Sequence, residues 1–211
     1  MAFSLTYDTL VAELQQYPLR NDERYIENIP VFIMLGQRQV CNDLKILQIK
    51  TYVTDTLTKT SNTLAKPADW LNTSYFSIGT GQGFTKKLQL KSRSQSYCDY
   101  YWPDATQTGT PKYFCDNVFN KWQFYPTPDQ NYPCLIGYFA QPQLLSPETQ
   151  TNPLTLTIPH VLLKACLIQT APFLKDDDRV PMWKQEYIDA KAAVTTEDLA
   201  RIYDGYSKRN L

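Results

Sequence analysis

Leu154-Thr155-Leu156-Thr157-Ile158-Pro159-His160 opens a stretch that runs to Tyr187 and decides how the chain folds. Thr157 is placed to cap a helix whose first turn holds Pro159, where proline's missing N–H has no partner to lose. Leu162, Leu163, Cys166, Leu167 and Thr170 recur at helical spacing, and Val161, Ala165 and Ile168 widen the stripe. An apolar surface that broad predicts a helix buried on most sides. Pro172 ends or kinks it near Thr170. The run Asp176-Asp177-Asp178 then offers an N-cap to a second helix, with Pro181 in its first turn and Trp183, Tyr187 and Ala190 facing inward. The stretch reads as a tight antiparallel helical hairpin that closes a core.

The surface it closes against lies at the other end of the chain. Tyr7, Leu10, Val11, Leu14 and Tyr17 share one helical face, and Pro18 stops that helix. Asn21-Asp22 caps a new segment, and Asn28-Ile29-Pro30 predicts a restart with Pro30 in the first turn. Phe32, Ile33, Gly36, Val40, Cys41 and Leu44 then form an inward stripe, leaving Gln37, Arg38, Gln39, Asn42 and Asp43 outward. Gly36 costs up to about 1 kcal/mol relative to Ala in a helix. Close approach of a neighbouring helix is the expected role, with drift at a tolerant site as the plain alternative.

Between these ends the period changes. Leu47 to Leu57 favours a strand, Ser61 to Lys66 a loop, and Leu64 to Leu71 a corner with Trp70 as a core anchor. Tyr75 to Ile78 and Phe84 to Leu90 read as strands joined by a turn at Gly79-Thr80-Gly81-Gln82-Gly83. Ser92 to Trp102 predicts a short helix with Tyr97, Tyr100 and Tyr101 inward. Pro111 to Val118, Trp122 to Tyr125 and Tyr132 to Phe139 then predict an antiparallel meander with turns at Asn120-Lys121 and Pro126 to Asp129. Gln141 to Pro153 is a polar connector, and Thr195 to Asp198 either caps a further helix or continues the last one to Tyr203.

The expectation is α+β in a single domain. Residues 1–46 and 154–203 form a helical bundle, residues 47–153 an inserted antiparallel β-rich lobe, and residues 204–211 a flexible polar tail.

With 211 residues the chain buries enough surface to fold without staples. Its 21 basic and 21 acidic residues cancel, which argues against an overall basic nucleic-acid binder. Cys41, Cys98, Cys115, Cys134 and Cys166 are scattered and form no CxxC, so buried reduced thiols are expected rather than a zinc or redox site. The N-terminus lacks a basic segment followed by a long apolar stretch, so no signal peptide is read. Val31 to Leu35 is too short to span a bilayer. The 15 tyrosines suit either half-buried strand faces or interfaces.

Catalytic constellations do not assemble. The single histidine, His160, sits at a helix start, and any Ser–His or Cys–His chemistry would have to run through it. There is no GxSxG, HExxH or Walker loop, and the glycines at 79, 81 and 83 lie between strands rather than opening a helix. Asp176 to Asp178 offers oxygens to a hard cation, but helix capping accounts for the run. Lys86, Lys87, Lys91 and Arg93 make a basic strip near Tyr97, suited to a solvated strand face or to an acidic or DNA partner. No enzyme activity, cofactor or metal is expected. Aromatic strands carrying Trp102 and Trp122 motivate an alternative, a carbohydrate- or host-binding module.

The order of these features resembles the head-to-tail connector adaptors of tailed bacteriophages. It is carried by Tyr25-Ile26-Glu27-Asn28-Ile29-Pro30 with Phe32-Ile33, by Pro67-Ala68-Asp69-Trp70-Leu71, and by Thr110 to Phe114 followed by Trp122 to Asp129 and Tyr132. Pro142 to Leu145, Thr151 to Leu154, and Leu174 to Arg179 with Trp183 complete it. Gly36-Gln37 and Pro172 depart from the pattern. The resemblance implies a structural virion protein at the head–tail interface, made in the bacterial host cytoplasm. It implies a homo-oligomeric ring of usually twelve copies beneath the portal protein. Such a ring extends the DNA channel, without sequence-specific DNA binding, and docks a tail or nozzle protein; no membrane is involved. Tyr203, Tyr206, Lys208, Arg209 and Leu211 in the tail, and Lys86, Lys87, Lys121 and Trp122 in the lobe, are the expected partner-interface residues. A head-completion or tail-terminator protein is the nearest alternative.

Overall fold

The computed structural model describes residues 5–19, 22–46, 49–80, 86–104, 106–174 and 178–207. Helices α1 (Tyr7–Gln16) and α2 (Glu23–Asp43) lead into β1 (Lys50–Leu57), β2 (Thr63–Ala65), β3 (Trp70–Thr80), β4 (Lys86–Gln89) and β5 (Lys91–Ser92). Helix α3 (Gln95–Tyr101) precedes β6 (Thr108–Gly109), β7 (Tyr113–Val118), β8 (Lys121–Tyr125), β9 (Thr127–Pro128) and β10 (Tyr132–Ala140). The chain ends in α4 (Pro153–Thr157), α5 (Pro159–Gln169), α6 (Ala171–Leu174) and α7 (Arg179–Ser207). The fold is mixed α+β: helices from the two chain ends touch, α2 on α5 and α5 on α7, and sheets lie between them in sequence. Contacts divide the chain into two units, Met1–Ile49 with Pro142–Leu211, and Lys50–Gln141.

Helix α5 is the centre of the helical unit. From Val161 to Thr170 no residue is exposed, so the broad apolar stripe is covered all round. Gly36 of α2 meets it at the closest point. A Cβ at Gly36 would lie 2.6 Å from the Cys166 sulfur and 2.8 Å from the Cys166 backbone nitrogen, a separation only glycine permits. The helix starts differently from expectation. Asn152, not Thr157, is the working cap: its side-chain oxygen accepts from the N–H groups of Leu154 and Thr155 at 3.0 and 3.1 Å, and caps α4. Thr157 spends its hydroxyl on the Pro153 carbonyl at 2.6 Å, and Pro159 opens α5 without a side-chain cap. Pro172 does end the helix at Thr170, whose hydroxyl donates to the Leu167 carbonyl at 2.7 Å.

Helix α2 also corrects the local reading. It runs unbroken through Pro30, where a restart was expected. An interior proline costs about 3 kcal/mol, but each large side chain buried returns roughly 1.5–3 kcal/mol. Tyr25, Ile29, Phe32 and Ile33, on one stripe that spans the proline, outweigh it. Gln37, read as outward, is fully buried. Its amide donates to the carbonyls of Pro142 and Gln143 at 3.3 and 2.9 Å, and its oxygen accepts from Leu145 N–H at 3.2 Å. The polar connector is thereby held on α2, and residues 142–153 group with the helices. Trp183 and Tyr187 are the inward residues of α7, and the Tyr187 hydroxyl donates to Asp43 at 2.8 Å. The helix continues to Ser207, so residues 204–207, expected in the tail, are helical.

The other unit holds two four-stranded sheets. One has the order β1-β10-β3-β4 and is antiparallel throughout; the other has the order β2-β8-β7-β5, with β5 parallel to β7. The expected meander is therefore split: β7 and β8 pair with each other, while β10 crosses to the sheet of β1 and β3. Part of the expected loop is a strand, since Thr63, Leu64 and Ala65 pair with Gln123, Trp122 and Lys121. Phe76 of β3 joins the sheets. Its ring lies 5.5 Å from Phe114, 5.7 Å from Trp122 and 5.0 Å from Phe124. Trp70 is half-buried at the head of β3, with the Lys66 ammonium 3.6 Å above its ring.

Candidate assembly surfaces

The expected interface residues do not form one site. Lys86 and Lys87 are exposed on β4, an edge strand of the first sheet. Lys91 is exposed on β5, an edge strand of the second, so the basic strip is shared between sheets. Lys121 is half-buried at the start of β8. Trp122 is not a surface residue at all. It is fully buried, and its indole N–H donates at 2.8 Å to the Thr73 hydroxyl, which also takes the Trp70 N–H at 3.1 Å and donates to Asp116 at 2.8 Å. Strand period decides this: Trp122 and Phe124 share the face of β8 that packs on Phe76. The burial of Trp122 also removes half the motive for a carbohydrate platform. Tyr203 and Tyr206 lie in the last turns of α7, and Lys208, Arg209 and Leu211 fall outside the described residues.

His160 is exposed on the first turn of α5, as its helix-start position predicted. Asp178 immediately precedes α7, whereas Asp176, Asp177 and the glycines at 81 and 83 lie outside the described residues. Among the described residues no cluster of three potential metal ligands occurs. No described helix is long and apolar enough to cross a membrane. The five cysteines are buried and free. Burial pushes the thiols up, Cys41 to about 11 and Cys134 to about 12, which leaves little thiolate for nucleophilic chemistry.

The helical unit also exposes apolar side chains. A groove of ≈ 420 Å³ between α1 and α2 is lined by Tyr7, Val11, Ala12, Ile26, Ile29 and Pro30, with Asp8 and Gln15. Met182, Ile188 and Leu199 of α7 are exposed among polar neighbours.

The β unit has a third surface, made of rings. Ser94 caps α3, whose one buried residue, Cys98, places its sulfur 3.3 Å from that of Cys115 on β7. So small a contact leaves most of the helix outside. Tyr100 and Tyr101, expected inward, are 81% and 56% exposed. Tyr97 packs against Tyr101 at 4.7 Å and Tyr113 at 5.7 Å, and Trp102 against Tyr113 at 5.6 Å. The Arg93 guanidinium lies over Tyr97 and Tyr113 at 5.5 and 5.8 Å. Beside Trp102 a cleft of ≈ 100 Å³ is lined by Asp99, Asp104, Asn62, Gln107 and Tyr125. The Tyr125 hydroxyl donates to Asp99 at 3.1 Å. Burial, and then Asp99, push Tyr125 well above the usual phenol range. Hydrogen bonds from Thr106 hold the Asp104 carboxyl below its ordinary value.

The family description SU10 adaptor protein matches this chain over residues 5–207, which includes both units and every described element. The chain belongs to the SU10 adaptor protein family. It is thus a phage adaptor, structural by the name of its family. No curated protein matches the chain. Read as an SU10 adaptor, its informative residues are ones that sequence reasoning placed inside: the tyrosines of α3, whose exposure was signalled only by the run Tyr97, Tyr100, Tyr101, Trp102 in a segment with a single buried side chain.

Proposed function

We propose that this adaptor sits at the head–tail interface of its virion as a ring of twelve copies beneath the portal protein, extending the DNA channel and docking the tail or nozzle protein. The observation that carries the reading is the family match across the whole fold, joined to exposed apolar side chains in the α1/α2 groove and along α7. A ring needs two different patches on each copy that meet head to tail and close by rotation. The α1/α2 groove and the outer side of α7 supply such a pair. The last turns of α7 with residues 204–211 reach the portal, and loops of the β unit meet the tail.

Cryo-electron microscopy of virions and a pull-down on the portal of the same virus test the proposal. A ring of this chain at the portal is the expected result, and failure to associate would sink it. Ile26→Glu in the groove should abolish the ring while the protein remains folded. Truncation after Tyr203 should weaken portal binding without changing the fold, and unchanged binding would remove the C-terminal role.

A further inference from the structure

The ring-bearing surface over α3 has a polarity that names its occupant. At one end Arg93 lies against Tyr97 and Tyr113. At the other, Asp99 and Asp104 flank the cleft beside Trp102, and no ion pair to either is found among the described residues. The cleft holds ≈ 100 Å³. Small-molecule sites usually need about 300–1,000 Å³, so this one takes a side chain rather than a free ligand. A guanidinium suits it best, because that group is planar enough to lie on Trp102 while its fork of N–H donors meets two carboxylates. Exposed tyrosines flanking the cleft add large contact area at small entropic cost, as partner-binding surfaces do.

We propose that this surface docks an arginine-bearing segment of a partner protein, seating the arginine in the Asp99–Asp104 cleft and laying the flanking residues along Tyr101 and Tyr97. The inference rests on the head-to-tail reading, under which the partner is the tail-side protein.

The test uses the full chain in infected cells. Tyr101→p-benzoylphenylalanine is incorporated, purified virions are irradiated, and the adduct is mapped by mass spectrometry. The expected adduct joins residue 101 to a segment of a different virion protein with an arginine a few residues away. Asp99→Asn with Asp104→Asn keeps an oxygen to accept from Tyr125 but removes both charges, and should lower the adduct yield by about tenfold. Lys87→Gln should leave the yield unchanged. Incorporation is measured first, and the single Asn variants replace the double variant if particles exclude it. An adduct to another copy of this chain, an adduct to a segment without arginine, no adduct, or an unchanged yield in the Asn variants would each overturn the docking while leaving the head-to-tail reading intact. Virions that lack the protein altogether would overturn that reading itself.

Discussion

At the α2–α5 crossing, contact is made by a glycine against the backbone of Cys166, whereas the β unit is filled by Phe76, Trp122 and Phe124. The two arrangements fail in opposite ways. Helices held at the distance set by Gly36 have no room for an added atom. Sheets held apart by large rings collapse poorly when a ring is taken away. The contrast extends to surfaces: the large apolar side chains the helical unit exposes are mostly aliphatic, and those the β unit exposes mostly aromatic. Aliphatic faces suit a permanent neighbour of matching shape. Tyrosines with charges at either end suit a partner chosen by chemistry.

Deletion in the β unit should produce the largest effect. Trp122→Ala is expected to cost about 3–5 kcal/mol, from the cavity and from the lost Thr73 bond, read as a fall in the urea midpoint. Addition in the helical unit should come next. Gly36→Ala is expected to destabilise by roughly 1–3 kcal/mol, since the ~1 kcal/mol gained in helix propensity cannot offset a Cβ 2.8–2.9 Å from the Cys166 backbone. A Gly36→Ala protein as stable as wild type would erase the comparison.

Alkaline pH acts on both units through their buried thiols, and burial pushes Cys166 of the helical unit up as well. Cys41 in the helical unit is pushed to about 11 by burial, and Cys115 and Cys134 in the β unit to about 12, from an ordinary 9.0. Above 9.0 the unfolded chain gives up thiol protons that the folded chain keeps. The stabilisation is therefore complete below 9.0 and is lost as pH rises through 11 to 12. Cys41→Ala should remove its share of that fall in the denaturation midpoint between 9.0 and about 11, and Cys134→Ala its share between 9.0 and about 12. The smallest effect is expected from Tyr187→Phe, about 0.5–1.5 kcal/mol for the lost hydrogen bond to Asp43, measured by thermal or urea unfolding.

Much of this architecture was legible in the residues. A mostly apolar stretch, Val161 to Thr170, announces a central helix, and Gly36 announces the helix that approaches it. What escaped was set by partners distant in sequence. Proline's rule is local, so Pro30 suggested a break that the stripe from Tyr25 to Ile33 overrides. Gln37 looks like a surface residue until the connector at Pro142 to Leu145 supplies its hydrogen bonds. Trp122 looked like an interface residue because its neighbour, the three-residue strand β2, is too short to leave a periodic signal. The opposite error fell on α3, where helical spacing of tyrosines suggested a buried face, yet Cys98 makes the contact. Burial of an aromatic residue depends on what the topology brings to it, and that is the least local property of the chain.

Strand β4 carries one more consequence. It is four residues long, lies at a sheet edge, is exposed at every position and bears two adjacent lysines. Copies held side by side would meet one another at an effective concentration in the millimolar range. Under that crowding a bare backbone edge would recruit strands from its neighbours and grow a continuous sheet through the assembly. Paired ammonium groups on so short an edge repel their own image on the next copy. In the proposed ring these lysines would keep sheets from fusing and leave the helices to join the copies.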